Sequence, residues 1–300
     1  MSDSDFLLMH YEEEMLPRIE AGHPFPHSEY AKTTGLRGVA HDTYRHMIDG
    51  HVLTKECVAD VPVVIGFDVS GHMMECPKAM LGGAVQFRRM VGRLPVEIAY
   101  AAHGGAIPLQ FSDFGRRNVI CSDLMDMYLD GCDDMGNSST LVAWYVANNV
   151  ETHAWDSAGK RGCVFLVEDK RPRVVRRTDA IAIFDRNDRI YPADAFLRAM
   201  DRWDVYVLVV SDYQSKVQDT MRGYATIVGK TRVVPVDNVE SVPAIIASII
   251  CMREGGVAEG GLAFELALAG FGDNAIGDAV EAVRSVPYRL RAPKSSVEND

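Results

Sequence analysis

No apolar run in this 300-residue chain approaches the ~20 residues that a membrane span needs. Positive charge is in short supply: 31 Lys and Arg stand against 42 Asp and Glu, a net charge of −11. Broad binding to nucleic acid depends on neutralising phosphates, and this balance argues against it. The opening MSDSDFLLMHYEEEM lacks a basic n-region and is not read as a secretory signal. Cys57, Cys76, Cys121, Cys132, Cys163 and Cys251 are scattered without paired metal-site spacing. Cys163 and Cys251 lie in apolar runs, where a thiol behaves as a small hydrophobe; a reducing, cytoplasmic setting is expected. Also missing are a G-x-S-x-G elbow, a P-loop, a paired acid/base motif and a dinucleotide fingerprint. There is no internal repeat.

What the chain does have is 47% hydrophobic residues, enough for a sizeable core, and one segment where they end on chemistry. Residues 61–73 read VPVVIGFDVSGHM. A continuous apolar run bounded by a turn reads as a strand buried on both faces. It ends in Asp68, with Ser70 and His72 at the next alternate positions. Gly71 breaks the strand, and Pro77 suits the first turn of a helix predicted over 76–89, where its missing N–H costs nothing. The three polar residues belong to the carboxyl end of a central strand, where open α/β sheets bind ligands. A carboxylate and a hydroxyl converging without a nearby basic partner ask for a cation.

Strand and helix alternate from there on. Strands are predicted over 61–68, 96–102, 107–111, 162–167, 205–210 and 232–236, the second and third joined as a hairpin by His103-Gly104-Gly105-Ala106. Helices are predicted over 76–89, 141–152, 193–203, 216–228 and 242–253. This order implies an α/β fold: a doubly wound, mostly parallel central sheet with one antiparallel edge strand. Residues 1–60 form an N-terminal extension, partly helical over the first twenty residues and around 40–53. It holds six of the nine histidines, read as solvated or capping groups because their spacing repeats no ligand pattern. Residues 61–254 form the domain. Residues 255–300 form a C-terminal extension with short helices at 262–269 and 275–286 and a polar, disordered tail from 292.

Three oxygen-bearing loops follow buried strands in chain order. They are FDVSGHM with Asp68 and Ser70, Gly136-Asn137-Ser138-Ser139-Thr140, and VFLVEDKRP with Asp169 and Pro172. Alone, the serines are ordinary N-caps and Asp169 a turn cap. Together they resemble the von Willebrand factor A (vWA) domain and its metal-ion-dependent adhesion site. That family carries D-x-S-x-S after the first strand, a Thr in a glycine-rich loop, and an Asp after the fourth strand, often as T-D-G-x-P. The hairpin ending in Phe111-Ser112-Asp113, the VYVLVV strand, and RVVPV with its apolar helix fall in the same order, so the resemblance covers about residues 60–254. Three positions depart from it: His72 replaces the second Ser, Ser138 the Thr, and Lys170 the glycine after Asp169.

The resemblance implies a metal held by Asp68, Ser70, a loop hydroxyl (Ser138, with Ser139 and Thr140 open as alternatives) and Asp169 through water. Such oxygens suit Mg²⁺ or Mn²⁺; an imidazole from His72 would tilt preference towards Mn²⁺ or Zn²⁺, but His72 is expected to point away as a surface residue. Asp212 is a rival for Asp169, which has the separation from Gly136 that one helix and one strand need. The implied function is a non-enzymatic protein-binding module in which a partner's acidic side chain completes the metal. The partner would be an AAA+ ATPase or a second copy of the chain, with no membrane or nucleic acid. The alternatives are a structural, self-assembling subunit with a decayed metal site, and a metal-dependent phosphate-ester hydrolase with His72 or His103 as base. The basic run Lys170-Arg171-Pro172-Arg173, Arg176 and Arg177 reads either as a lure for an acidic partner or phosphate, or as a solvated loop balancing Asp133 and Asp134. Met73 and Met74 are expected in the core.

Overall fold

The structure, a computed structural model, describes residues 54–286 except 105–108, 116–123, 125–126, 128–137, 178–179, 181–183, 185–187 and 211–213. The helices expected before residue 54, the six N-terminal histidines, Asp133 and Asp134, Gly136 and Asn137, Asp212 and the tail after 292 lie outside the described residues.

The strands are β1 (Lys55–Cys57), β2 (Val61–Asp68), β3 (Val96–His103), β4 (Leu109–Phe111), β5 (Val150–Thr152), β6 (Gly162–Glu168), β7 (Trp203–Val210) and β8 (Val233–Val236). The helices are α1 (Glu75–Gly82), α2 (Ala84–Val91), α3 (Ser139–Asn149), α4 (His153–Ala158), α5 (Pro192–Arg202), α6 (Gln214–Val228), α7 (Val242–Arg253), α8 (Leu262–Ala269) and α9 (Asp273–Ser285). Six strands form one sheet in the order β4-β3-β2-β6-β7-β8, parallel throughout except for β4, which pairs antiparallel with β3 at the edge. This is the doubly wound α/β fold that the strand–helix order implies. A separate parallel pair, β1 with β5, was not expected from the sequence.

The continuous apolar run of β2 serves two cores at once, since successive side chains alternate faces. Val61, Val63, Ile65 and Phe67 join the cluster built with α1, α2 and α7. Val64 joins the opposite cluster with α3 and α5. Gly66 lets α3 come close on that face: a Cβ there would meet Leu166 at 3.0 Å and Val142 at 3.4 Å. Pro62 is tolerated in a central strand because the Val61 N–H bonds Pro95 on the β3 side. The missing donor of Pro62 therefore faces β6, whose pairing with β2 begins only at Val63.

The helix expected over 76–89 is two helices, α1 and α2, broken at Gly83, where a Cβ would lie 2.7 Å from a ring carbon of Pro243. The helix expected to 152 ends at Asn149, because Val150–Thr152 leaves to pair with β1. Met73 is buried and Met74 packs against the same cluster, as expected. Leu262, Leu266 and Ala269 of α8 and Ala279, Ala282 and Val283 of α9 also belong to the α1–α2–α7 core.

Candidate functional site

The carboxyl ends of β2, β3 and β6 meet at one rim because the three are parallel neighbours, with Asp68 in register with His103. Beyond Asp68 the Val69 N–H still donates to the His103 carbonyl at 2.8 Å. Gly71, at φ 53°, then turns the chain into the single 3-10 turn Gly71–Met74. Oδ1 of Asp68 accepts the Ser70 N–H at 2.8 Å, an Asx-type bond that fixes the carboxylate beneath the turn. Gly104, at φ 95°, crosses so near that a Cβ would lie 2.3 Å from that same Oδ1.

Beneath the rim lies a buried polar network. Nε2 of His103 is 2.7 Å from Oε1 of Glu168, with both side chains almost wholly enclosed. Burial opposes charge on the imidazole, but the Glu168 carboxylate, the bond to it and nearby Asp68 outweigh that and push His103 above its ordinary value. Burial pushes Glu168 up as well, with His103 pulling back. The Tyr224 hydroxyl is 2.6 Å from the Ser139 hydroxyl and also bonds Glu168. Asp68, His103 and Glu168 offer ligand atoms within 4.8 Å of one another, an acidic cluster of the kind divalent ions use. Glu168 escaped the sequence reading of the site, and His103 entered it only as a candidate base of the hydrolase alternative. The available signal was the strand-end alignment of Asp68, His103 and the Glu168-Asp169 pair.

At the rim itself stands a basic group. Nζ of Lys170 donates to Oγ of Ser70 at 2.8 Å and lies 3.8 Å from Oδ2 of Asp68 and 3.8 Å from Oδ1 of Asp169. The expectation that Asp68 and Ser70 lack a basic partner is therefore corrected. The partner comes from a loop 100 residues further on and read in the sequence as one member of a solvated run. Burial pushes the Asp169 carboxyl up, and Lys170 is the strongest influence pulling it back. His72 is 54% exposed, yet its Nε2 lies 3.6 Å from Oδ2 of Asp169, so it turns towards the site.

The third loop is placed differently. Ser138 is the N-cap of α3: its hydroxyl accepts the Thr140 N–H at 3.2 Å and donates to the Arg173 carbonyl at 3.1 Å. Thr140 donates to the same carbonyl at 2.8 Å, and Ser139 faces Tyr224. Thr220 donates to the Asp169 carbonyl at 3.1 Å, and Arg171 pairs with Asp219. The structure thus brings together Asp68, Ser70 and Asp169, while Ser138 and Thr140 clamp the loop that carries Lys170.

With Lys170 so placed, the residues do not fit a divalent ion at this rim. An Mg²⁺ bound to Ser70 at about 2.1 Å would lie against an ammonium that is itself 2.8 Å from the same oxygen, and the two positive charges would repel.

No protein-family model matches the chain, nor does any curated protein. Solved structures do. The pilus adhesin SpaC of Lactobacillus rhamnosus GG, in its open conformation, is 14% identical over 67% of this chain and 31% of its own, with a TM-score of 0.46. The chain thus spans about a third of that adhesin. The vWF domain of the type V pili tip protein Mfa5 of Porphyromonas gingivalis is 11% identical over 67% of this chain and 97% of its own, with a TM-score of 0.46. Proximal thread matrix protein 1 from the mussel byssus, with its MIDAS motif occupied by zinc, is 12% identical over 65% of this chain and 48% of its own, with a TM-score of 0.43. These vWA-type proteins are what the chain is similar to; its fold rests on its own strand order.

Proposed function

We propose that this chain is a non-enzymatic binding module that meets a protein partner at the carboxyl rim of its sheet. The observation that supports this best is the juxtaposition at the rim. The carboxylates of Asp68 and Asp169 are buried and neutralised from within, while Arg171, Arg173, Arg176 and Arg177 are exposed on the adjoining run. The adjoining run is arginine-rich although the chain as a whole carries −11, which suits an acidic segment of the partner, since complementary potentials steer encounter and fix register.

Hydrolysis is the weaker reading. Cys76, a described thiol that feels both Asp68 and Asp169, is buried, and burial followed by those carboxylates raises its pKa far from the thiolate a nucleophile needs. His103 is enclosed and bonded to Glu168, out of reach of a substrate.

The test is affinity capture with the full chain beside Asp169→Asn and the paired Arg173→Glu/Arg176→Glu variant, each checked for folding by circular dichroism. A partner held by the wild type and by Asp169→Asn but lost from the arginine variant is the expected result. Identical partners on all three would sink the reading. Sedimentation of the purified chain tells a second copy of itself from a different protein as that partner.

A further inference from the structure

We propose that Lys170 is this site's own cation: its ammonium stands where the three rim oxygens converge and makes the rim independent of metal. The proposal rests on the reading of the rim as a partner site, but it is tested without any partner.

The geometry carries it. Three oxygens from separate loops, Ser70 Oγ, Asp68 Oδ2 and Asp169 Oδ1, surround one nitrogen at 2.8, 3.8 and 3.8 Å. An ammonium has three donors and no acceptor; here it donates to Ser70 and meets the two carboxylates at ion-pair distance, Oδ1 of Asp169 accepting no hydrogen bond. Asp68 and Asp169 are almost fully buried, so leaving both charged without a counter-ion would be strongly unfavourable. Glu168 already has His103. Lys170 lies within 4 Å of both Asp68 and Asp169, and His72 within 4 Å of Asp169; Lys216 also acts on Asp169, more weakly than either. The lysine is also delivered rather than floating. Its loop is held by Ser138 and Thr140 on Arg173, by Thr220 on the Asp169 carbonyl and by Arg171 on Asp219. Its side chain is 32% exposed, with the ammonium on Ser70 Oγ. The residue that departs from the resemblance after Asp169 is thus the one that fills the position a metal would take.

The probes are Mn²⁺, followed by electron paramagnetic resonance, and Mg²⁺, followed by thermal melting, on the full chain. The wild type is expected to leave the free Mn²⁺ signal unchanged and to melt at one temperature with or without Mg²⁺. Lys170→Ala is expected to bind Mn²⁺ at least tenfold more tightly than the wild type and to gain a Mg²⁺-dependent rise in melting temperature. Adding Asp68→Asn to it should remove both. Lys170→Met keeps the stem without the charge and serves if the alanine variant does not fold. Wild-type Mn²⁺ binding as tight as that of the lysine variants would overturn the proposal, and so would variants that bind neither ion. Loss of the captured partner in EDTA would count against it as well, whereas absence of any partner bears only on the proposed function.

Discussion

Gly104 shows how narrowly a single residue sets the rim. At φ 95° it occupies backbone space that side chains rarely enter, and a methyl group there would come within 2.3 Å of Oδ1 of Asp68. Gly104→Ala should therefore cost about 1–3 kcal/mol and displace Asp68 from its bond to the Ser70 N–H, read as a lowered urea midpoint. An unchanged midpoint would mean that the loop relaxes freely. His103 and Glu168 offer a second test. His103→Ala leaves a buried carboxylate unpaired and should cost about 3–5 kcal/mol, while replacing both residues with Leu should recover most of it. The pair also sets a pH dependence. His103 is raised above 6.5 and Glu168 above 4.5, so the folded pair holds protons more tightly than the unfolded chain. The His103 contribution is complete below pH 6.5 and is lost as pH climbs through its higher folded value. Wild-type stability should fall as pH rises above 6.5 through the higher folded value of His103, and the Leu–Leu variant should lose that slope; equal slopes would show that the pair adds no pH dependence.

At the level of elements, legibility tracked apolar pattern and failed where contacts from elsewhere decided. The strand of residues 61–68 and the helix of residues 242–253 were readable end to end because each is a predominantly apolar run, the helix buried on nearly every side. The break between α1 and α2 was not, although Gly82-Gly83 marks it locally: what demands it is the contact of Gly83 with Pro243 at the start of α7. Gly83→Ala should accordingly force the two helices apart and cost about 1–3 kcal/mol, although alanine is the better helix former. A variant as stable as the wild type would return the break to local propensity. The three-residue strands β1 and β5 were likewise hidden, since a pairing between Lys55–Cys57 and Val150–Thr152 carries no periodic signal. In the site, Asp68, Ser70 and Asp169 were legible as strand-end residues. Lys170 was not, because its partner lies 100 residues back along the chain and only the sheet order makes them neighbours.

Over the whole molecule, two apolar layers sandwich a sheet whose inner strands, β3, β2, β6 and β7, are each paired on both sides. Amide hydrogen exchange should be slowest along β2 and β6, and faster at β8 and at β4, which have one neighbour each. Protection that was greatest at β8 instead would contradict a core centred on β2 and β6. The rim sits at the end of these inner strands, so its carboxylates are carried by β2 and β6, each paired on both sides, while Lys170 arrives on a clamped loop. A charge delivered by the chain itself is never dilute. Its effective concentration is set by a few covalent bonds and not by the surroundings, so a chelator cannot strip it and a change in ion supply cannot exchange it. Such a rim is armed on folding and stays armed at any magnesium level. Only chemistry at the amine itself, such as acetylation, which removes the charge, would disarm it.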